Sequence, residues 1–352
     1  MWRKVGKVLL VIAIWAVIVA YVVYAALVVR RHKLQQVVER VEVSIVDSTH
    51  LGNLITEQKV LDMLLEKGWV AIDTRVEDVP KSEIKNMICS EGFVDGVNIY
   101  ASYNGTLHID ISQRKPLFRV VTGGYNSYIT ADGYIFRSPE HAALFVPVVS
   151  GTYTPPFDAN YQGDIAQVVE SVRVAAIDSV ALIGKEKEPV YARIEHWKHC
   201  REEVRDSTVD NKKLRRRLYD YVDGHLRDCN RELEAIASRQ QAVARRFESF
   251  KGRVNEFMAF VSLIERISSD RFWRAEVVQI VANVADSGSL WVELIPRSGN
   301  HTIIFGRVES VEQKFKLLGL YYEQVATTSG WDSYKSVNVS CAERIICTYD
   351  EK

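Results

Sequence analysis

The sequence predicts an α+β protein with a single N-terminal transmembrane helix, a small domain of order β-α-α-β-β, and a mixed β domain interrupted by a long α-helical insertion. Three observations lead to this fold class. Val8 to Val29 is an uncharged apolar run, alternating strands flank the dipeptide Asn104-Gly105, and residues 190–251 lack proline while apolar residues recur every three or four positions.

The apolar run from Val8 to Val29 contains 22 residues, and about 20 helical residues cross a hydrocarbon core of roughly 30 Å. A cleaved secretory signal is the alternative, but the run continues past its small residues to Arg30. We therefore expect an uncleaved anchor, preceded by a tail at residues 1–7 and followed by a juxtamembrane segment at residues 30–40. Basic residues flank both ends, so charge alone does not orient this helix.

The small domain is assigned to residues 41–115. Its predicted elements are a strand at Val41 to Val46, a helix at Thr56 to Lys67, a second helix that starts around Pro80, and strands at Gly96 to Tyr103 and Thr106 to Gln113. Asn-Gly favours positive φ at both positions of a type I′ turn, so we expect a hairpin there. The order indicates a small sheet with two helices on one face.

The β domain is assigned to residues 116–151 and 253–348, and the helical insertion to residues 152–252. Predicted strands lie near residues 118–122, 127–130, 134–137, 145–151, 272–284, 290–295, 301–305, 334–339 and 344–349, with helices at 254–267 and after Ser310, where Gln313 completes a capping box. Capping residues at Asp206 to Asp210 favour a break that folds the insertion into a helical hairpin. One continuous helix remains the alternative.

Composition excludes several classes of function. The chain carries 45 basic and 45 acidic side chains, so no net field favours a polyanion. The basic run Lys212 to Arg217 has acidic neighbours and no aromatic platform, which favours a solvated helix face over a nucleic-acid site. Common nucleotide-binding, zinc-protease and serine-hydrolase motifs are absent. The five cysteines show no disulfide framework or CxxC pair.

The nearest candidate for chemistry is a group of histidines and cysteines in the insertion. His196, His199 and Cys200 share helical spacing, and His225 and Cys229 do so further on. A helical hairpin that brought the two groups level would offer zinc ligands. The break near residue 208 does not place them level, so polar residues on a partly exposed helix are the preferred interpretation.

Three motifs resemble those of a known family. The run from Gly105 to Arg119 (GTLHIDISQRKPLFR) resembles the segment that closes the POTRA domain of the FtsQ/DivIB cell-division proteins and opens their β domain. Tyr128 to Phe136 and Val146 to Gly151 are similar to the next two motifs of that family, in the same order. Segments around Trp273, Gly306 and Tyr334 resemble the C-terminal half of its Bacteroidota branch. The insertion has no counterpart in the family pattern.

The resemblance implies a non-enzymatic bitopic scaffold of the division machinery, with no cofactor, metal, nucleic acid or small-molecule substrate. It implies an inner-membrane protein at the division septum, with a cytoplasmic N-terminus and a periplasmic bulk. Its partners would be other membrane division proteins, in particular a small bitopic coiled-coil protein at the C-terminal strands. The partner-binding residues assigned by this resemblance are Trp331, Tyr334, Val337, Val339, Cys341, Arg344 and Ile346, where Cys341 replaces the usual tyrosine of the family.

Two alternatives stay open. POTRA modules also handle polypeptides in secretion and outer-membrane assembly, although there they usually precede a transmembrane barrel, whose repeated strands this chain lacks. The second alternative is an envelope metalloenzyme that uses the cluster of His196, His199 and Cys200.

Overall fold

The chain folds into two compact units, seen in a computed structural model that describes residues 14–25, 27, 36–46, 54–69, 73–139, 144–208, 211–330 and 333–349. The N-terminal unit comprises Met1–Pro116 and Phe136–Val146, and the C-terminal unit comprises Leu117–Ile135 and Pro147–Lys352. The described strands form two separate sheets, one of three strands and one of ten.

The first helix, α1, is described over residues 14–25 and 27. No helix in the described part of the chain is long and apolar enough to cross a membrane. This finding contradicts the transmembrane helix predicted at Val8 to Val29, and the fold class is corrected to a mixed α and β protein in which an N-terminal transmembrane helix is not shown. The rest of the run and residues 1–7 lie outside the described residues.

The N-terminal unit contains β1 (Arg40–Val46), α2 (Glu57–Glu66), α3 (Lys81–Cys89), β2 (Val94–Ala101) and β3 (Thr106–Gln113). Strand β3 lies in the middle of the sheet, parallel to β1 and antiparallel to β2. The predicted order β-α-α-β-β is therefore confirmed.

One face of this sheet is apolar, because alternate residues of a strand point to the same side. Leu107, Ile109 and Ile111 of β3 are fully buried, as are Ile84 and Ile88 of α3. His108, Asp110 and Ser112, which alternate with them along β3, are only partly buried. The core of the unit therefore includes the apolar face of β3 and the inner face of α3.

The loop between β2 and β3 differs from the predicted type I′ turn. Gly105 has a φ of 78°, whereas Asn104 does not have a positive φ. The Asn104 side chain instead accepts a hydrogen bond from the Thr106 N–H at 3.2 Å, and the Ser102 N–H donates to the Thr106 carbonyl at 2.9 Å. These bonds close a three-residue loop that ends in a left-handed glycine, which is the next most common hairpin connection.

The C-terminal unit is built on the ten-stranded sheet. Its strands are β4 (Pro116–Thr122), β5 (Tyr125–Thr130), β6 (Tyr134–Arg137), β7 (Val148–Gly151), β8 (Gly163–Asp164), β9 (Val277–Val284), β10 (Leu290–Pro296), β11 (Thr302–Gly306), β12 (Ser336–Asn338) and β13 (Ile346–Thr348). They lie in the order β13-β12-β11-β10-β9-β7-β4-β5-β6-β8. Strand β7 pairs in parallel with both β4 and β9, so the two chain segments on either side of the insertion meet in the centre of the sheet.

The insertion is a helical hairpin, as one of the two predicted alternatives had it. Helices α4 (Ile165–Lys185) and α5 (Lys187–Asp206) lead outward, and α6 (Lys212–Ser269) returns. Paired residues run in opposite directions: Gln240 donates to the Val180 carbonyl at 3.0 Å, and Arg201 binds Asp223 at 3.0 Å. The antiparallel hairpin therefore ends in the segment between Asp206 and Lys212.

Helix α6 continues from the hairpin into the β domain without a break. It has 58 residues, which corresponds to about 87 Å, so the separate helix predicted at residues 254–267 is part of it. Phe257, Phe260 and Ile264 are at most 1% exposed and belong to the same apolar core as Phe118 of β4. The final turns of the hairpin helix are thus part of the core of the β domain.

Removing the outer hairpin, which we define as residues 173–249, should leave the C-terminal unit folded. The reason is that α4 and α6 contact the core of the β domain only near the ends that join this domain. Val168 and Val169 of α4 and Phe250 of α6 pack against the core cluster. We expect a chain with residues 173–249 replaced by a short glycine-serine linker to keep its thermal midpoint within a few degrees, measured by circular dichroism.

The control is a longer truncation of residues 160–258, which removes Ile165 and Phe257 from the core. This longer truncation should lose the cooperative transition of the unit. Unfolding of the shorter truncation would show that the outer hairpin is required for the core.

Two local predictions in this unit are wrong. The residues from Phe272 to Glu276, predicted as the start of a strand, lie in a short helix, α7 (Arg271–Glu276), because the Asp270 carboxylate caps its first turn through the N–H groups of Phe272 and Trp273. Helix α8 (Val311–Leu320) exists as predicted, but Ser310 is left-handed with a φ of 50° and its side chain makes no capping hydrogen bond. The predicted capping box is therefore absent.

The end of α8 passes directly into a π-helix at Tyr321–Ala326 and then a short helix, α9 (Thr327–Ser329). A π-turn rotates the residues that follow it relative to an α-helix, and such turns often occur at functional sites. Tyr321 and Tyr322 are both buried and enter the core side by side. The π-helix thus fixes two aromatic side chains below the last strands of the chain.

Candidate partner-binding edge

Strand β13 forms one end of the ten-stranded sheet. It pairs antiparallel with β12, which in turn pairs in parallel with β11. In the described part of the chain no strand lies on the other side of β13. An edge of this kind presents backbone N–H and C=O groups to which an extended segment of another protein can add. The edge is short, since β13 has three residues, so side chains around it must supply much of any selectivity.

Two of the predicted partner-binding residues point into the core. Val337 and Val339 are 0% exposed and belong to the main apolar cluster of the unit. The Val339 N–H also donates to the Ile304 carbonyl of β11 at 3.0 Å. Their side chains are therefore structural, and we expect a proline or a charge at Val339 to disturb the fold.

The other predicted partner-binding residues differ from these two valines in their exposure to solvent. Cys341 and Arg344 are exposed, Ile346 is 46% exposed, and Tyr334 is partly buried. Trp331 lies outside the described residues. An exposed isoleucine on an edge strand is a suitable apolar contact for a docking segment. The assignment of partner contacts to these residues remains a prediction.

An aromatic cluster lies next to this edge, and sequence reasoning had not assigned two of its members. The rings of Tyr334 and Tyr349 are 4.9 Å apart, and Tyr321 lies 6.3 Å from Tyr334. Tyr349 is 66% exposed, whereas Tyr321 is fully buried. The cluster therefore runs from the core to the surface, and Tyr349 presents an aromatic side chain beside β13, of the type enriched in binding hot spots.

The electrostatics of this cluster follow from burial and from hydrogen bonding. Burial raises the pKa of Tyr321 to about 12, with smaller contributions from Cys347 and Tyr334. The pKa of Tyr349 is raised mainly by its hydrogen bond with Tyr334, and burial raises the pKa of the Cys347 thiol. Because both pKa values are raised, Tyr321 and Tyr349 are neutral at physiological pH.

Apart from the aromatic cluster, a group of buried polar side chains supports the sheet. The Glu276 carboxylate accepts hydrogen bonds from the Ser298 N–H and hydroxyl, and His301 Nε2 lies 3.2 Å from the Tyr322 hydroxyl. Burial, followed by the interaction with Glu276, raises the pKa of Tyr322. These contacts join the turn after β10 to α7 and to the π-helix. They therefore position the start of β11, the strand with which β12 pairs.

The histidine and cysteine residues of the hairpin do not form a metal site in the described residues. Cys200 Sγ lies 3.7 Å from His196 Nε2, whereas His199 faces Glu203 at 3.4 Å and His225 stacks on the ring of Trp197 at 4.1 Å. No group of three or more potential ligands occurs in this part of the molecule. The cluster therefore provides a pair of side chains where zinc requires four or, in catalytic sites, three protein ligands.

Comparison with protein families assigns both ends of the chain. Residues 36–112 match a POTRA-like domain, and residues 236–348 match the domain described as FtsQ/DivIB, C-terminal related. The second match contains the inner part of α6, the strands from β9 onward and the C-terminal edge. No curated protein matches the chain.

The C-terminal match distinguishes the two uses of POTRA modules considered above, because it belongs to the division family and not to a secretion or outer-membrane assembly protein. Residues 113–235, which include most of the outer hairpin, fall outside both matches. From the two matched domains, in this order, we identify the chain as an FtsQ/DivIB-type protein with a POTRA domain.

Proposed function

We propose that this protein is a non-enzymatic scaffold of the bacterial division machinery that recruits and links other division proteins at the septum. FtsQ/DivIB proteins are membrane-anchored division proteins without catalytic activity, and they interact with other division proteins. The observation that carries the proposal is the pairing of a POTRA-like domain with an FtsQ/DivIB-related C-terminal domain in one chain. In this proposal the POTRA domain (residues 41–115) and the β domain (residues 116–151 and 253–348) act on the periplasmic side.

The partner that we propose for the C-terminal edge is a small bitopic coiled-coil division protein. A segment of this partner would extend the sheet at β13 through main-chain hydrogen bonds. Ile346 and Tyr349 supply exposed apolar contacts, at 46% and 66% exposure, while the exposed Arg344 favours an acidic residue on the partner.

Depletion of the protein in its own host should block septation and give filaments, and a tagged copy should gather at midcell. Complementation then tests the edge. The variant Ile346→Glu places a charge on the exposed side of β13 and should reduce co-purification of division proteins by about 30-fold or more, the effect of a hot-spot loss near 2 kcal/mol.

The matched control is Val278→Glu, since Val278 is 42% exposed on β9 of the same sheet. Both variants should keep the melting temperature of the wild type, because substitutions at exposed positions usually change stability by less than about 0.5 kcal/mol. Normal division after complete depletion would refute the proposed function. Filaments on depletion, together with full rescue and binding by Ile346→Glu, would place the partner site elsewhere.

A further inference from the structure

Helix α4 uses one stripe of residues to pack along the hairpin and against the β domain. The residues of this stripe, all buried or partly buried, are Ile165, Val169, Val172, Ala176, Val180 and Ile183. Contacts of this stripe include the hydrogen bond from Gln240 of α6 to the Val180 carbonyl and the packing of Ile183 against the buried cluster that contains Ile236. A two-helix hairpin needs only one apolar stripe on each helix.

A second stripe lies on roughly the opposite side of α4 and is exposed. It consists of Glu170, Val174, Ile177, Ala181 and Lys185, whose spacing of three or four positions places them on one helix face. Val174 is 44% and Ile177 is 52% exposed. Because exposed apolar surface on a helix costs free energy that a partner can recover, this face requires an explanation that the hairpin itself does not provide.

The charges of this second stripe are arranged symmetrically about its apolar centre. The acidic Glu170 lies toward the N-terminal end and the basic Lys185 at the C-terminal end, with three apolar residues between them. If the same stripe of another copy is placed against it in the opposite direction, each glutamate meets the other copy's lysine. A parallel arrangement would instead place glutamate against glutamate and lysine against lysine.

We propose that the second stripe of α4 binds the same stripe of a second copy of this chain, antiparallel and about a two-fold axis near Ile177. The interface is isologous, so every favourable contact occurs twice. Val174 of one copy meets the small side chain of the other copy's Ala181, which allows the two helices to approach closely. This inference rests on the hairpin alone and is independent of the proposed role in division.

The size of the stripe sets the strength expected of this contact. From Glu170 to Lys185 it extends about 22 Å along the helix, which belongs to the small interfaces that give weak, reversible association. Glu170 already makes a two-point ion pair with Arg173 of the same helix, at 2.7 and 2.6 Å, but an exposed pair of this kind contributes little to stability. The Glu170 side chain is still 57% exposed, so the partner's Lys185 can share it with Arg173.

A charge-exchange experiment tests the proposal on the purified full chain by sedimentation at increasing concentration. Wild type should associate to a dimer, and both Glu170→Lys and Lys185→Glu should weaken the dimer by about tenfold, since two attractive contacts become repulsive. The double variant Glu170→Lys/Lys185→Glu should regain the wild-type dissociation constant. An equimolar mixture of the two single variants should form a mixed dimer through two restored pairs.

Two further variants test whether dimerisation depends on the second stripe or on other exposed residues of α4. Ile177→Asp places a charge at the two-fold axis and should abolish the dimer. Leu182→Asp is the control, because Leu182 is 68% exposed but lies more than a quarter turn around the helix axis from Ile177 and Ala181, and it should leave dimerisation unchanged. Circular dichroism of all variants checks that α4 remains helical.

The proposal is overturned if wild type stays monomeric over the whole concentration range, which would leave this face to a different protein. It is also overturned if the double variant fails to regain association, or if Leu182→Asp abolishes the dimer while Ile177→Asp does not.

Discussion

Replacing Phe257 by alanine is expected to destabilise the C-terminal unit by about 3–5 kcal/mol, the cost of removing a buried phenylalanine and leaving a cavity. Phe257 is 0% exposed on α6 and packs edge to face on Phe157 at 5.5 Å. Since a domain of this kind is stable by only about 5–15 kcal/mol, the loss should lower the midpoint of urea denaturation strongly.

Phe247→Ala provides the control on the same helix. Phe247 lies ten residues earlier, is only partly buried, and is not part of the core cluster. Its replacement should cost much less, and the difference between the two midpoints measures the contribution of the helix end to the core. Equal effects of the two substitutions would mean that α6 contributes to stability evenly along its length rather than through its inner end.

Replacing Gly151 by alanine should disrupt the centre of the ten-stranded sheet. Gly151 ends β7 opposite Ala282 of β9 with a φ of 123°, and a Cβ atom there would lie 2.1 Å from the Ala282 carbonyl oxygen. The strained backbone alone costs about 1–3 kcal/mol, and the clash with main-chain atoms adds to it because β9 cannot move without breaking its pairing with β10. We expect a loss of at least about 3 kcal/mol or failure to fold, measured by thermal denaturation.

Gly252→Ala is the matched control for this substitution. Gly252 lies inside α6, and no atom beyond the neighbouring residues and backbone of its own helix lies within 4 Å of a Cβ built at this position. Alanine in a helix interior should stabilise the chain by about 0.5–1 kcal/mol relative to glycine. A neutral Gly151→Ala variant would show that β7 and β9 are not held as closely as the structure indicates.

Sequence periodicity predicted most of the elements of this fold but fewer of their boundaries. Capping residues near Asp206 indicated the reversal of the hairpin, because side-chain oxygens there compete with helical hydrogen bonds. The continuity of α6 could not be predicted, since the three-to-four spacing of apolar residues is the same inside the hairpin and inside the core. Asp270 was the signal for α7, but the aromatic residues after it also favour a strand.

The candidate edge was only partly accessible from the sequence. The alternation of Val337 and Val339 places both side chains on one face of a strand. Two apolar side chains on one face already favour burial of that face in the core. That β13 lies at the end of the sheet depends on the order of pairing, which is a tertiary property without a local signal. Tyr349 lies in a predicted strand. Its contact with Tyr334 could not be predicted, because it depends on the antiparallel pairing of β13 with β12.

The pairing of β7 with β9 also determines the order in which the C-terminal unit can form. Gln279 donates to Ser150 at 2.7 Å although 129 positions separate them, and closing a flexible loop costs about 0.6 kcal/mol more for every doubling of its length. The antiparallel hairpin can form from its reversal outward, starting with contacts of short separation such as Arg201 with Asp223, and it brings its two attached ends together, so it shortens the effective loop. Strands β4 to β7 are synthesised first. The centre of the sheet can therefore form only after the hairpin and β9 have also left the ribosome.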